Sequence, residues 1–120
     1  MSHTESNLDI DVVVHDDRTA VVKIGGELDI ETSTSLHHHV ANQFLHGRNH
    51  LVVDLSELRF MDSSGLNVLI KAGREARNAS GDLHLAAPTE QVHRLLEITG
   101  LSLTTPIHPS VEAALAAASS

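Results

Sequence analysis

The stretch His50-Leu51-Val52-Val53-Asp54-Leu55-Ser56-Glu57-Leu58-Arg59-Phe60-Met61-Asp62-Ser63-Ser64-Gly65-Leu66 decides how this chain folds. Its first six residues form a compact apolar run with little alternation, the pattern of a strand covered on both faces, and they are the candidate for the centre of a sheet. From Leu66 onward, Leu69, Ile70, Gly73 and Ala76 recur at helical spacing as far as the turn at Ser80-Gly81-Asp82, so the strand feeds directly into a helix. Strands joined through a helix become parallel neighbours by a right-handed crossover.

On the N-terminal side, Leu8, Ile10, Val12 and Val14 alternate with Asp9, Asp11 and Val13, a period of two that predicts an edge strand with one wet face. The connection His15-Asp16-Asp17-Arg18 is so short that the β-branched run over residues 19–24 must pair with it antiparallel, and Gly25-Gly26 is expected to end that second strand. Leu36, Val40 and Phe44 recur every four residues, which predicts an amphipathic helix capped by Thr32, Ser33 or Thr34 and stopped near Gly47.

On the C-terminal side, Leu83, Leu85 and Ala87 alternate before Pro88, and Val92, Leu95 and Leu96 mark a short helix that Gly100 terminates. A weak last strand is expected over residues 101–105, broken by Pro106, and then an Ala-rich helix through Val111, Ala114, Leu115 and Ala118. The order is ββαβαβαβα: an α/β domain with a mixed sheet, its first strand pair antiparallel, packed by about four helices. A single domain is expected, with a core over about residues 8–115 and flexible ends at residues 1–7 and 117–120.

The chain has 120 residues, near the commonest domain size. Eight Lys and Arg stand against sixteen Asp and Glu, a formal charge of −8 that repels phosphate backbones and anionic lipid. Nucleic acid and membranes are therefore not expected partners, and a protein with a basic patch is. Cysteine is absent, which removes disulfides, thiol nucleophiles and thiolate zinc sites and suits a reducing cytoplasm. The polar, acidic N-terminus lacks the features of a signal peptide, and no apolar run reaches the length of a membrane span. A cytoplasmic location is expected. With Phe44 and Phe60 the only aromatic residues, base stacking and aromatic cages are disfavoured.

The chemistry concentrates where the central strand ends. Asp62, Ser63 and Ser64 are all good helix caps, and a helix start offers unpartnered N–H groups and a positive dipole on which an oxyanion is held. A phosphate on Ser63 is expected to be tolerated there, and Gly65 to open the backbone to another chain's active site. Read from the residues alone, Asp-Ser-Ser is also an ordinary helix cap.

Gly26-Glu27-Leu28-Asp29, Asp54-Leu55-Ser56 and Phe60-Met61-Asp62-Ser63-Ser64-Gly65-Leu66 together resemble STAS domains of the anti-sigma-factor antagonist type, with Leu95-Leu96 and Thr99-Gly100-Leu101 also matching. The resemblance runs from about residue 8 to residue 115. It implies that Ser63 is phosphorylated by an anti-sigma factor that is itself a serine kinase carrying ATP or ADP, and that a serine phosphatase reverses this. It further implies that the unmodified form binds the kinase and frees a sigma factor, with Asp62, Ser64 and Gly65 supporting the phosphosite. Asp29 and Glu27 are expected on the docking face, Asp29 serving either as a rim contact or as a cap of the following turn. Asp62, Asn67 and Lys71 are expected to complete that face. Ser64 is the alternative acceptor. No enzymatic activity, catalytic residue or cofactor is implied, and a monomer is expected. A STAS scaffold without the switch is the competing reading; the intact Asp62-Ser63-Ser64-Gly65 favours the switch.

Two other constellations carry less weight. Met61-Asp62-Ser63-Ser64-Gly65 is one glycine short of a G-x-S-x-G nucleophile elbow, but the chain is too small for that scaffold and has no HGGG-like oxyanion loop. His37-His38-His39 invites a metal reading, yet consecutive helical residues point about 100 degrees apart and cannot converge on one ion. No native metal site is expected.

Overall fold

The computed structural model describes residues 2–4 and 7–118. In chain order the elements are β1 (Ser2–Thr4), β2 (Leu8–Asp16), β3 (Thr19–Leu28), α1 (Ser33–Leu45), β4 (His50–Met61), α2 (Ser63–Asn78), β5 (Asp82–Ala86), α3 (Glu90–Ile98), a 3-10 turn (Leu101–Leu103), β6 (Ile107–His108) and α4 (Val111–Ala118). The sheet order is β1-β2-β3-β4-β5-β6. The β1/β2 and β2/β3 pairs are antiparallel and the later pairs parallel. The α/β class, the antiparallel pair of long N-terminal strands, the parallel remainder and the four helices match the sequence reading.

Alternation along the strands divides the side chains between two unequal cores. Leu51, Val53 and Leu55 of β4 point into the main core with Ile10, Val22, Ile24, Leu83 and Leu85, which Leu36 and Val40 of α1, Leu69 of α2 and Leu96 of α3 cover. Each fully buried aliphatic side chain there contributes roughly 1.5–3 kcal/mol. Val52 and Ala86 point the other way, onto Ala114 of α4, with Val21, Val111 and Leu115 at the margin. Residues 50–55 of β4 are thus the doubly covered central stretch that their composition predicts, with β3 and β5 on either side, while Ser56, Glu57, Arg59 and Phe60 further along are exposed.

Three local expectations are corrected. The first long strand is not an edge, because Ser2–Thr4 pairs along it with Ser2 opposite Asp11. Gly25-Gly26 does not end β3, which continues to Leu28; instead the register against β4 shifts on either side of the glycine pair. Gly26 there has φ of +99°, and a Cβ would strike the Asn7 carbonyl oxygen. Only glycine tolerates both demands. Residues 101–105 are not a strand: the Thr104 and Thr105 amides donate to the Leu101 carbonyl at 3.1 and 2.9 Å and so are spent on a turn. The last strand falls after the proline, at Ile107–His108, where the Leu85 amide reaches the Pro106 carbonyl at 2.9 Å.

Of the ends expected to be flexible, Met1, Glu5, Ser6, Ser119 and Ser120 lie outside the described residues, Ser2–Thr4 form β1, and Ala117 and Ala118 close α4.

Candidate functional site

Because β3 and β4 are parallel and in register at Leu28 and Met61, they end side by side, and each hands the chain to a helix at the same rim of the sheet. The Asp62 amide donates to the Leu28 carbonyl at 3.1 Å and ties the two exits together. Asp62 is extended, with φ −107° and ψ −170°, and its Oδ1 accepts from the Ser64 amide at 2.8 Å and the Gly65 amide at 3.3 Å. This is an N-cap: it satisfies two donors that the helix cannot. Ser63, between the capping residue and the capped amides, is the first residue of α2 and is exposed, while Ser64 is half-buried.

The cap changes the expectation for an anion at this helix start. The Ser64 and Gly65 amides already hold the Asp62 carboxylate, so they are not open to a phosphate on Ser63 unless Asp62 lets go. Gly65 also differs from its expected role. It is buried, and a Cβ there would lie 2.6 Å from Leu28 Cγ and 2.9 Å from the Leu28 carbonyl oxygen. Its lack of a side chain lets the first turn of α2 close onto the end of β3 rather than opening the backbone to another chain.

The neighbouring exit repeats the device. Asp29 Oδ1 accepts from the Glu31 amide at 2.9 Å and the Thr32 amide at 3.1 Å, while the Asp29 amide donates to Thr32 Oγ1 at 3.0 Å and that hydroxyl donates to the Glu27 carbonyl at 2.9 Å. Of the two roles open to Asp29, shaping the turn before α1 is thus visible in its bonds. Glu27 and Asp29 are both half-buried at the rim, beside Asp62. Ile30, which sequence reasoning passed over, is thrust out to 75% exposure.

Two depressions flank the Ser63 turn. Asn67 and Lys71, both exposed on α2, join Ser64 and Val68 opposite Ser33, Thr34 and His37 of α1 around a groove of about 330 Å³. On the other side Phe60, Met61, Val92, Leu95 and Ile98 line an apolar cleft of about 220 Å³, with Phe60 43% and Ile98 75% exposed. Sequence reasoning missed His37 and Phe60 as rim residues. The available signals were weak: Ser33 and His37 are one helical turn apart, as are Ser64, Asn67 and Lys71, but which faces oppose each other depends on the pairing of β3 with β4.

In the histidine-rich helix, His39 and His46 set Nδ1 2.8 Å from the carbonyl four residues earlier, Ser35 and Asn42. Among the described residues, no group of three His, Cys, Asp or Glu side chains is arranged to hold a metal ion. Also among them, no helix is long and apolar enough to cross a membrane.

Comparison with known proteins identifies the family. The STAS domain family model matches residues 10–114, and the chain belongs to that family, on its anti-sigma-factor antagonist side. It is 33% identical over 95 residues to an anti-sigma-B factor antagonist of Staphylococcus epidermidis, covering 79% of this chain and 87% of the relative. It is 32% identical over 103 residues to an anti-sigma F factor antagonist of Paenibacillus polymyxa, covering 85% and 87%. The crystal structure of an anti-sigma factor antagonist from Mycobacterium paratuberculosis superposes with a TM-score of 0.85 at 27% identity, over 94% of this chain and 95% of that one.

Proposed function

We propose that this chain is a partner-switching anti-sigma-factor antagonist: unmodified, it binds an anti-sigma factor that is a serine kinase and so frees a sigma factor, and phosphorylation of Ser63 ends that binding until a serine phosphatase restores the hydroxyl. It acts by binding, in the cytoplasm, and catalyses nothing itself. The observation that carries this reading is the exposure of Ser63 at the helix start, held between a capping carboxylate and the amides that carboxylate occupies. A kinase reaches such a hydroxyl without unfolding anything.

The charges at the rim explain why modification would dissociate the complex. A phosphoserine carries about −1.5 to −2 charges at neutral pH. At Ser63 it joins a rim that already holds Asp62, Asp29, Glu27 and Glu31, and the nearest helix amides are bound to Asp62. In water the added charge is solvated and the fold is undisturbed. In a packed contact it must be stripped of water against like charge, which costs several kcal/mol unless the partner supplies a cation. The same rim, unmodified, offers Asn67 and Lys71 on α2 and Glu27, Asp29 and Asp62 as polar contacts.

Incubation with the cognate anti-sigma kinase and ATP, followed by phosphopeptide mass spectrometry, tests the reading. Phosphate on Ser63 and none on a Ser63→Ala variant is the expected result. Modification of Ser64 in its place, or tight kinase binding by the phosphorylated protein, would overturn it.

A further inference from the structure

Away from this rim, His84 sits on β5 among residues that alternate between the two cores: Leu83 and Leu85 enter the main core, Ala86 the small one beneath α4. His84 is only 6% exposed and shares the face of Ala86. Its Nδ1 lies 2.9 Å from Nε2 of His108, with the ring centroids 5.1 Å apart and the planes tilted by 38°. Its Nε2 is buried without a partner. Two neutral imidazoles satisfy this geometry with one shared hydrogen, one ring donating and the other accepting. A proton on His84 keeps that bond but leaves a charged ring with its Nε2–H buried and no acceptor for it, and protonating both rings loses the acceptor as well and sets two positive charges at hydrogen-bond distance.

His108 is one of the two residues of β6, which holds to β5 by the Leu85 amide on the Pro106 carbonyl and the Ala87 amide on the His108 carbonyl, at 2.9 and 2.8 Å. Two residues later Ser110 accepts from the Ala113 amide at 3.1 Å and opens α4. That helix is seated by Ala114, with Val111 and Leu115, on Val52, Ala86 and Val21, a far smaller apolar contact than the main core. The C-terminal unit of β6 and α4 therefore depends more on its polar fastening than α1, α2 or α3 do.

We propose that the His84–His108 bond is a proton-operated latch: the neutral pair holds the β6–α4 unit against the sheet, and protonation of the buried His84 in mild acid releases that unit while the main core stays folded. Burial first, and then His108, hold the His84 imidazole below its ordinary value of 6.5, with His50 acting in the same direction and the Asp82 carboxylate opposing them. These groups face His84 from β4, β5 and β6. On the same face of β4 Asp54 is half-buried and binds the Ser56 amide at 3.0 Å, and the one titratable side chain of α4, Glu112, is exposed. A depressed value for His84 means that the released chain takes up a proton there which the docked state refuses. The stabilisation is thus complete above 6.5 and is lost progressively as the pH falls from there towards the docked-state value.

Amide hydrogen exchange on the full chain between about pH 7.5 and about pH 5.5, corrected for the intrinsic pH dependence of exchange, tests the latch. Protection at Ala114 in α4 is expected to fall by up to about tenfold per pH unit below 6.5 while that at Leu69 in α2 holds. His84→Gln, which keeps a hydrogen-bonding side chain but cannot titrate, should flatten the response. In case that variant does not fold, nitrogen-15 spectra of the wild-type imidazoles supply a second measure, with His84 expected to titrate below 6.5. Protection in α4 that ignores pH, that falls in step with α2, or that persists in its pH response in a folded His84→Gln protein would overturn the latch, as would a His84 titration at or above 6.5.

Discussion

The exits of β3 and β4 are built alike and present different chemistry. In each an aspartate Oδ1 accepts from the amides two and three residues on, Asp29 from Glu31 and Thr32, Asp62 from Ser64 and Gly65. In each the aspartate carbonyl accepts from the amide four residues on, Ser33 at 2.8 Å and Leu66 at 3.0 Å. This arrangement leaves the residue after the aspartate outside the turn, and that residue is Ile30 at one exit and Ser63 at the other. One turn shape thus exposes an apolar side chain and a nucleophilic hydroxyl side by side on a single rim. The lesson is that the cap supplies presentation and the residue it presents supplies function.

Four measurements break or sharpen that equivalence. The largest effect is expected from Ser63→Glu, which places a charge where only the second exit has a hydroxyl. Affinity for the anti-sigma factor should fall by about thirtyfold or more, as loss of fit at a desolvated charged contact costs about 2–5 kcal/mol, with thermal unfolding unchanged; wild-type affinity by calorimetry would contradict the switch. Next, Gly65→Ala forces a Cβ against Leu28 and pries the two exits apart, and should cost roughly 1–3 kcal/mol in urea unfolding. A neutral result would mean that the first turn of α2 is not seated on β3.

Asp62→Ala and Asp29→Ala compare the two caps directly. Each should lose about 0.5–2 kcal/mol of stability, but kinase binding should suffer more for Asp62, whose turn carries the proposed acceptor Ser63; equal binding losses would erase the distinction, and global unfolding of Asp62→Ala would show that the turn is more than a cap. The smallest effect belongs to Ile30→Ser. An exposed side chain should change stability by no more than about 0.5 kcal/mol, while partner affinity falls a few-fold if the first exit docks as well as the second.

Much of this was readable along the chain. The apolar run from His50 to Leu55 marked the central strand because a strand covered on both faces has no reason to alternate. Asp62-Ser63-Ser64-Gly65 marked a capped helix start, and the motif around it carried the resemblance to antagonists. Where the reading failed, a distant partner intervened. The Gly25-Gly26 pair reads as a stop, but Asn7 and the shifted register of β4 make it an irregularity inside a strand. Gly65 reads as an opening for a partner, and Leu28 fills that space instead.

What the sequence by itself determined are the features set by neighbours along the chain: hydrophobic period, caps, turns, charge and the candidate acceptor Ser63. Only the tertiary structure decided that Asp29 and Asp62 stand side by side, that His37 faces the α2 groove with Asn67 and Lys71, and that His84 meets His108. Those pairings join residues many positions apart, and their geometry follows from strand register and helix packing, which depend on the free energy of the whole fold rather than on any local preference.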